Sequence, residues 1–259
     1  MFHRNKEETI TTKLVFRNTQ LLLPSIEKRV QSAAGIRLLF IQAVHDVICS
    51  NYPLRPRHAC RLAALALQAN CGDYDPARFK KKSIVSEMAV HVPEHLRSSS
   101  DPVYWEQRIV EYYKKLHGLS SLAAMQKYLE LCRQHPCYGS TFFPVTYIPP
   151  VTSLFKQQYD GDVLLAVNAL GMHIVDASLA REVKGKPVKM CPFQRILSWD
   201  SDKLTFFCEY LPLHGPSELY TFKTPHGNLI NDLFCDWLEE YRRCAQAIAR
   251  HRAAQRGQA

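Results

Sequence analysis

No stretch of this 259-residue chain approaches the eighteen uninterrupted apolar residues that suggest a membrane-crossing helix. The opening residues, MFHRNKEETITTK, lack the apolar core of a secretory signal, so the chain is expected to stay in the cytoplasm. There is no C-x-x-C pair: the nine cysteines stand singly at Cys49, Cys60, Cys71, Cys132, Cys137, Cys191, Cys208, Cys235 and Cys244. That spacing argues against a zinc site, and an odd count in a cytoplasmic chain favours buried free thiols over disulfides. H-E-x-x-H, Walker A, nucleophile-elbow and dinucleotide fingerprints are also missing, so no motif carries metal, nucleotide or acyl-transfer chemistry. The expectation is a protein with no catalytic residue, no metal and no cofactor.

What is present is ordinary globular composition, with 46% hydrophobic and 22% charged residues, and a net charge of +9. The charge suits an anionic partner: lipid headgroups, nucleic acid or an acidic peptide. Its bland counterpart is a solvated basic surface.

Apolar spacing divides the chain in two. In the first half, IRLLFIQAVHDVIC (36–49) has a broad apolar face at helical period, ended by NYPLRP, whose prolines cannot continue a helix interior. A second helix is expected over 56–71, closed by Gly72. Residues 73–100 read as polar and irregular. Asp101 and Pro102 then signal a helix start, with Trp105, Ile109, Tyr112, Tyr113 and Leu116 as its stripe and Gly118 as its stop. Ser120 or Ser121 caps a further helix that ends before Pro136. Four helices over about a hundred residues make a compact bundle.

After Gly139 the pattern becomes STFFPVTYI, DVLLAVNA, GMHIVDA, KMCPFQRILSW, KLTFFCEY and SELYTFKT, short β-prone runs separated by turn formers. A long amphipathic helix closes the chain, with Thr224 as cap and Ile230, Leu233, Phe234, Trp237, Leu238 and Tyr241 as its stripe. The fold class is therefore α+β in two lobes: a four-helix-type bundle, then a PH/PTB-like antiparallel β-sandwich capped by the C-terminal helix. The boundaries expected are 1–34 for an N-terminal connector, 35–137 for the helical lobe, 138–245 for the β lobe and 246–259 for a basic, fraying tail.

The junction HPCYGSTFFPV (135–145) also gathers a histidine, a cysteine and hydroxyls, which invites a catalytic reading. A cysteine-phosphatase loop would need an arginine six residues after Cys137, where Phe143 stands, and a glycine-rich nest that is missing. A cysteine-protease reading needs an oriented general base, which eleven scattered histidines neither supply nor exclude. The structural reading is preferred: a seam between lobes, with Phe142 and Phe143 on opposite faces of the first strand.

Several of these segments together resemble the FERM domain. In the helical half they are Leu38 to Ile48, Tyr52-Pro53, Leu62 to Gln68, Gly72-Asp73-Tyr74, Trp105, Ile109, Gly118, Ala123 and Tyr128, and then Tyr138-Gly139 with Phe142-Phe143. In the β half they are Leu164 to Val167, Gly171 to Ile174 and Ile196 to Trp199. The likeness spans roughly 14–245, and YGSTFF with GMHIVD and ILSW is similar to talin-type and myosin- or kinesin-tail FERM modules. FERM domains usually begin with a ubiquitin-like lobe, for which the residues before 35 are too few; TKLVFRNTQLLLP looks like the connector that follows such a lobe.

The resemblance implies two sites. In PTB-like lobes a partner peptide adds as a strand beside the fifth strand, flanked by the last helix. Carried onto this sequence, that groove comprises Arg195, Ile196, Leu197, Ser198 and Trp199 with Ile230, Leu233 and Phe234. Related modules also set basic residues against anionic lipid, each contributing about 1 kcal/mol near the surface. The candidates here are Arg78, Lys80, Lys81, Lys82, Lys184, Lys186 and Lys189. The implied function is a non-enzymatic adaptor, peripheral at the membrane or cytoskeleton. It would bind the cytoplasmic tail of a membrane receptor, or a cargo peptide, with anionic phosphoinositide phospholipid as a further candidate, and link it to the cytoskeleton. The alternatives are an intramolecular regulatory or cargo-binding module of a larger motor or signalling protein, and acyl-CoA or other small-ligand binding by the helical lobe. That last role needs basic and aromatic residues lining a pocket between helices, and the sequence isolates no such set. Nucleic acid is the weakest charged partner, because no aromatic platforms interleave with the tail arginines.

Overall fold

A computed structural model of the chain describes residues 24–81, 88–98, 100–149, 161–176 and 189–256. The expected connector and N-terminal segment lies outside these residues up to position 23.

The four expected helices form at the predicted places, each started by its local chemistry. A short α1 (Pro24–Glu27) precedes α2 (Ala33–Ile48), whose cap Ser32 accepts the Gly35 N–H at 3.2 Å. Helix α3 (Pro56–Cys71) starts on Pro56 and ends where Gly72 turns to φ +78°, its N–H donating to the Gln68 carbonyl. It is buried almost without break from Ala59 to Ala69, so it is the bundle's central helix. Helix α6 (Pro102–Lys114) begins with the Asp101 carboxylate accepting Val103 N–H at 2.8 Å; α7 (Ser121–Arg133) begins with Ser120 accepting Ala123 N–H.

One expectation needs correction. Residues 73–100 are not simply irregular: they hold α4 (Pro76–Lys81), α5 (Met88–His91) and a 3-10 turn (Glu94–Leu96). Val92 and Leu96 from this segment pack into the cluster around Trp105, Ile109 and Tyr113, so a stretch of low apolar periodicity still contributes to the core.

The β lobe contains β1 (Thr141–Ile148), β2 (Gly161–Asn168), β3 (Gly171–Asp176), β4 (Lys189–Pro192), β5 (Ile196–Ser201), β6 (Thr205–Tyr210) and β7 (Glu218–Lys223). All neighbours are antiparallel, in the order β4-β3-β2-β1-β7-β6-β5. The run KMCPFQRILSW, read as one strand, is two. Pro192 has no N–H to donate to the ladder, and a 3-10 turn (Phe193–Arg195) follows it. Because of that break β4 and β5, consecutive in the chain, sit at the two ends of the sheet.

The last helix, α8 (Gly227–Arg256), packs on β2, β5 and β6 and buries Ile230, Phe234 and Trp237 in the β core. It continues through 246–256, so the expected fraying tail is instead helical up to Arg256. Phe143 packs in the β core while Phe142 packs against the helical core, the opposite faces that strand alternation requires. Ala166 and Val175, on the outer face of β2 and β3, join the same helical core, so the two lobes share buried apolar surface.

Candidate functional site

Strand β5 pairs only with β6, leaving its other edge without a strand partner among the described residues. Its register with β6 opposes Ile196 to Tyr210, Ser198 to Glu209 and Trp199 to Cys208, with an irregularity between Ile196 and Ser198. A bulge there leaves Leu197 outside the ladder and makes two consecutive residues, Leu197 and Ser198, face solvent; Leu197 is 54% exposed. Ile196 and Trp199 turn inward and lie half-buried against the core. The Ser198 hydroxyl donates to the Glu209 carboxylate at 3.1 Å, and Arg195 ties the strand's entry to Leu211 by donating Nη1 to its carbonyl at 3.2 Å.

The helix beside this edge is fixed at its start by the β5–β6 hairpin. Asp202 accepts the N–H groups of Leu204 and Thr205 at 2.8 and 2.7 Å, which holds the turn; the Thr205 side chain first, then these N–H groups, keep its carboxyl below the usual carboxylate range. Gly227 lies directly over that turn: a Cβ on it would stand 2.7 Å from the Thr205 carbonyl oxygen and 3.0 Å from that of Asp202. Thr224 accepts the His226 N–H at 3.1 Å, so the expected cap residue serves the helix entry.

The helix stripe splits into two populations, which corrects the expected groove. Ile230 and Phe234 are both 0% exposed. The Phe234 ring sits 5.2 Å from Phe193, 5.2 Å from Phe206 and 5.6 Å from Trp199, so it plugs the sandwich and no guest can touch it. The apolar side chains of this part of the helix that are not plugged into the sandwich are Leu233, half-buried, and Leu229 one turn earlier, 59% exposed. The sequence reading missed Leu229 because it precedes the stripe that defined the buried face.

Among the candidate lipid contacts, Lys189 is also corrected. Its ammonium pairs with Glu218 at 2.7 Å and lies over the rings of Tyr210 and Tyr220, at 5.3 and 5.8 Å. Glu218 also accepts the Tyr220 hydroxyl. A cation so neutralised is a poor membrane contact. Arg78 is exposed on α4 and donates to the Cys71 carbonyl at 3.1 Å. Lys80 and Lys81 share that helix backbone, but their side chains, with Lys82, Lys184 and Lys186, fall outside the described residues.

The seam that raised the catalytic question is a hydrogen-bonded polar network. His135 accepts the Cys137 N–H on Nδ1 at 3.1 Å, so its Nε2 carries the proton and donates to the Pro53 carbonyl at 3.1 Å. Burial pushes the Cys137 thiol up to about 12 and lowers His135 to about 4, so both are neutral at physiological pH and the imidazole has no free nitrogen to act as base. Asn168, in the β2–β3 hairpin, uses all four of its capacities. It donates to the carbonyls of Pro136 and Tyr138 and accepts from the Leu170 N–H and the His173 ring. Glu27 meets Arg133 at 2.7 Å and Tyr138 at 2.8 Å, which ties α1 to the end of α7. Among the described residues no group of three His, Cys, Asp or Glu could hold a metal ion, and no helix is long and apolar enough to cross a membrane.

The FERM central domain family matches residues 25–143. FERM domain-containing protein B of Dictyostelium discoideum is 36% identical over 234 residues, covering 88% of this chain and 47% of that protein. The chain thus spans about half the length of that relative. Among solved structures, the human Myosin 7b C-terminal MyTH4-FERM domain, in complex with the harmonin-a PDZ3 domain, superposes with a TM-score of 0.64 at 20% identity. It covers 82% of this chain and 40% of that one. The complex of the FERM and C-terminal domains of Drosophila Merlin gives 0.58 at 18% identity, covering 86% and 69%. At those identities the superpositions bear on fold.

Proposed function

This chain belongs to the FERM domain family, and from that premise we propose that it is a non-enzymatic adaptor whose β lobe receives an extended segment of a partner along the β5 edge. The observation that supports this reading most is the edge itself. An antiparallel strand with one side unpaired among the described residues, bulged at Leu197 and flanked by an amphipathic helix, presents main-chain donors and acceptors to a guest strand. Leu197, Leu229 and Leu233 supply apolar contacts that differ from the buried plug residues. The guest is proposed to be the cytoplasmic tail of a membrane protein or a cargo peptide, which the adaptor links to the cytoskeleton. Anionic phosphoinositide membrane is a further proposed partner, supported by the net charge of +9 and the exposed Arg78.

A second reading has one specific support: the related Merlin structure holds the FERM domain together with its own C-terminal domain. The same edge could then hold a segment of the chain's own polypeptide as an intramolecular regulator.

A photocrosslinking residue placed at Leu197 and expressed in cells distinguishes them. The adaptor reading expects adducts to an extended segment of another protein, absent when the crosslinker is moved to Leu122 on the helical lobe. Adducts to the chain's own polypeptide select the regulatory reading, and adducts equally abundant from both positions refute a site at β5.

A further inference from the structure

The helical lobe carries a trough that the adaptor reading does not use. Between α3 and α7 lies a cavity of about 300 Å³, walled by Tyr52, Leu54, Leu62, Leu131, Cys132 and Pro136, with His58, Arg61 and Gln134 also in its lining. It adjoins a wider cleft of about 560 Å³ between α3, α6 and α7, and the two share Arg61, Leu131 and Gln134. The cleft adds Arg57, Lys115 and Lys127, against one acidic lining residue, Glu130.

The charges here are arranged against their own electrostatic interest. Arg57, His58 and Arg61 occupy one face of the first two turns of α3, the positive end of its dipole, and no acidic residue stands in that first turn. Arg57 donates to the Tyr112 hydroxyl at 3.3 Å, and Lys115 is held by Glu111 at 3.0 Å. Arg61 and Lys127 pair with no carboxylate among the described residues, yet they line the same cleft. His58 is depressed by burial and then by Arg61, Arg55 and Arg57, a local sign of positive potential. Next to these cations, the smaller cavity is the size of a small-molecule site in an interior that is otherwise close-packed. An anion joined to an apolar group answers both features at once.

We propose that this trough binds a small phosphorylated molecule, with its phosphate on Arg61, Lys127 and Arg57 and its apolar or aromatic part in the cavity beside Tyr52 and Leu62. The phosphate can belong to a free metabolite or to a lipid headgroup, since both offer the same chemistry to a guanidinium fork.

The test uses the whole chain and 1-naphthyl phosphate as probe, with 1-naphthol and inorganic phosphate as its separate halves, read by calorimetry and amide shifts. The expected result is that naphthyl phosphate binds at least about tenfold more tightly than either half, with shifts confined to the lining of the trough: residues 52–65, 112–116 and 127–136. Arg61→Glu, a change at an exposed side chain, should weaken it by about tenfold or more, as should Gln134→Trp, which fills the mouth shared by both cavities. Arg108→Glu, on α6 outside the trough, should leave it unchanged. Phosphatidylcholine vesicles doped with phosphatidic acid that compete with the probe identify a lipid source; vesicles that do not compete identify a free molecule. Binding no tighter than that of the halves, or indifferent to Arg61→Glu while the variant remains folded, overturns the proposal.

Discussion

His135 and His173 show how far a single residue's chemistry is set by its burial. Each is held to about 4 in the folded chain, against 6.5 when free, chiefly by desolvation. The folded state therefore refuses protons that the unfolded chain accepts as pH falls below about 6.5. Stability is complete above that value and is lost as pH falls toward about 4, by on the order of 3 kcal/mol for each histidine. Urea midpoints measured across that window should fall with pH, and His173→Gln, whose amide can still donate to Asn168, should reduce the slope by about half. A midpoint that does not change over the window would contradict the assignment of two neutral seam histidines. None of this was legible beforehand. HPCYG announced a change of period and offered a nucleophile, but the burial that keeps Cys137 a neutral thiol and the Pro53 carbonyl that holds His135 come from residues remote in sequence. Only the position of Phe142 and Phe143 on opposite faces follows from local alternation.

At the scale of the element, what was legible is what local chemistry decides. The caps Ser120, Asp101 and Thr224, the proline at the start of α3 and the stop at Gly72 all act where the sequence places them. What escaped needed long-range information. The run after Lys189 reads as one β-prone segment, and only the packing of the sheet shows that Pro192 divides it and sends β5 to the far edge. The periodic stripe of α8 correctly marks a buried face, yet it cannot tell the plug residues Ile230 and Phe234 from the flank at Leu229 and Leu233. Gly227 is likewise silent in sequence, although its missing side chain lets the helix start touch the β5–β6 turn. Gly227→Ala forces a Cβ to within 2.7 Å of a backbone oxygen, so the helix start or the turn must move. The expected cost is about 2 kcal/mol in urea denaturation, with amide shift changes centred on residues 201–205. A stable variant with shifts confined to α8 itself would show that the helix does not depend on this contact.

At the scale of the whole molecule, the helical and β lobes are joined by more than a linker. Ala166 and Val175 of the sheet lie in the helical core, and Asn168 binds the carbonyls of the segment that leaves α7. Two surfaces are then presented on a common frame, an open strand edge on one lobe and a basic trough on the other. The two-lobe α+β plan was visible in the switch of apolar period near Gly139, because that switch reflects which faces each half must bury. The trough was not, since Arg57 and Arg61 meet Lys127 only after α3 and α7 pack. Amide hydrogen exchange across Ile196–Ser201, with and without the segment captured by crosslinking at Leu197, shows whether the open edge takes up a strand. An added strand should slow alternate amides of β5, those facing away from β6, while leaving β6 and β7 unchanged. Capture of the segment with no new protection anywhere in β5 would contradict the account.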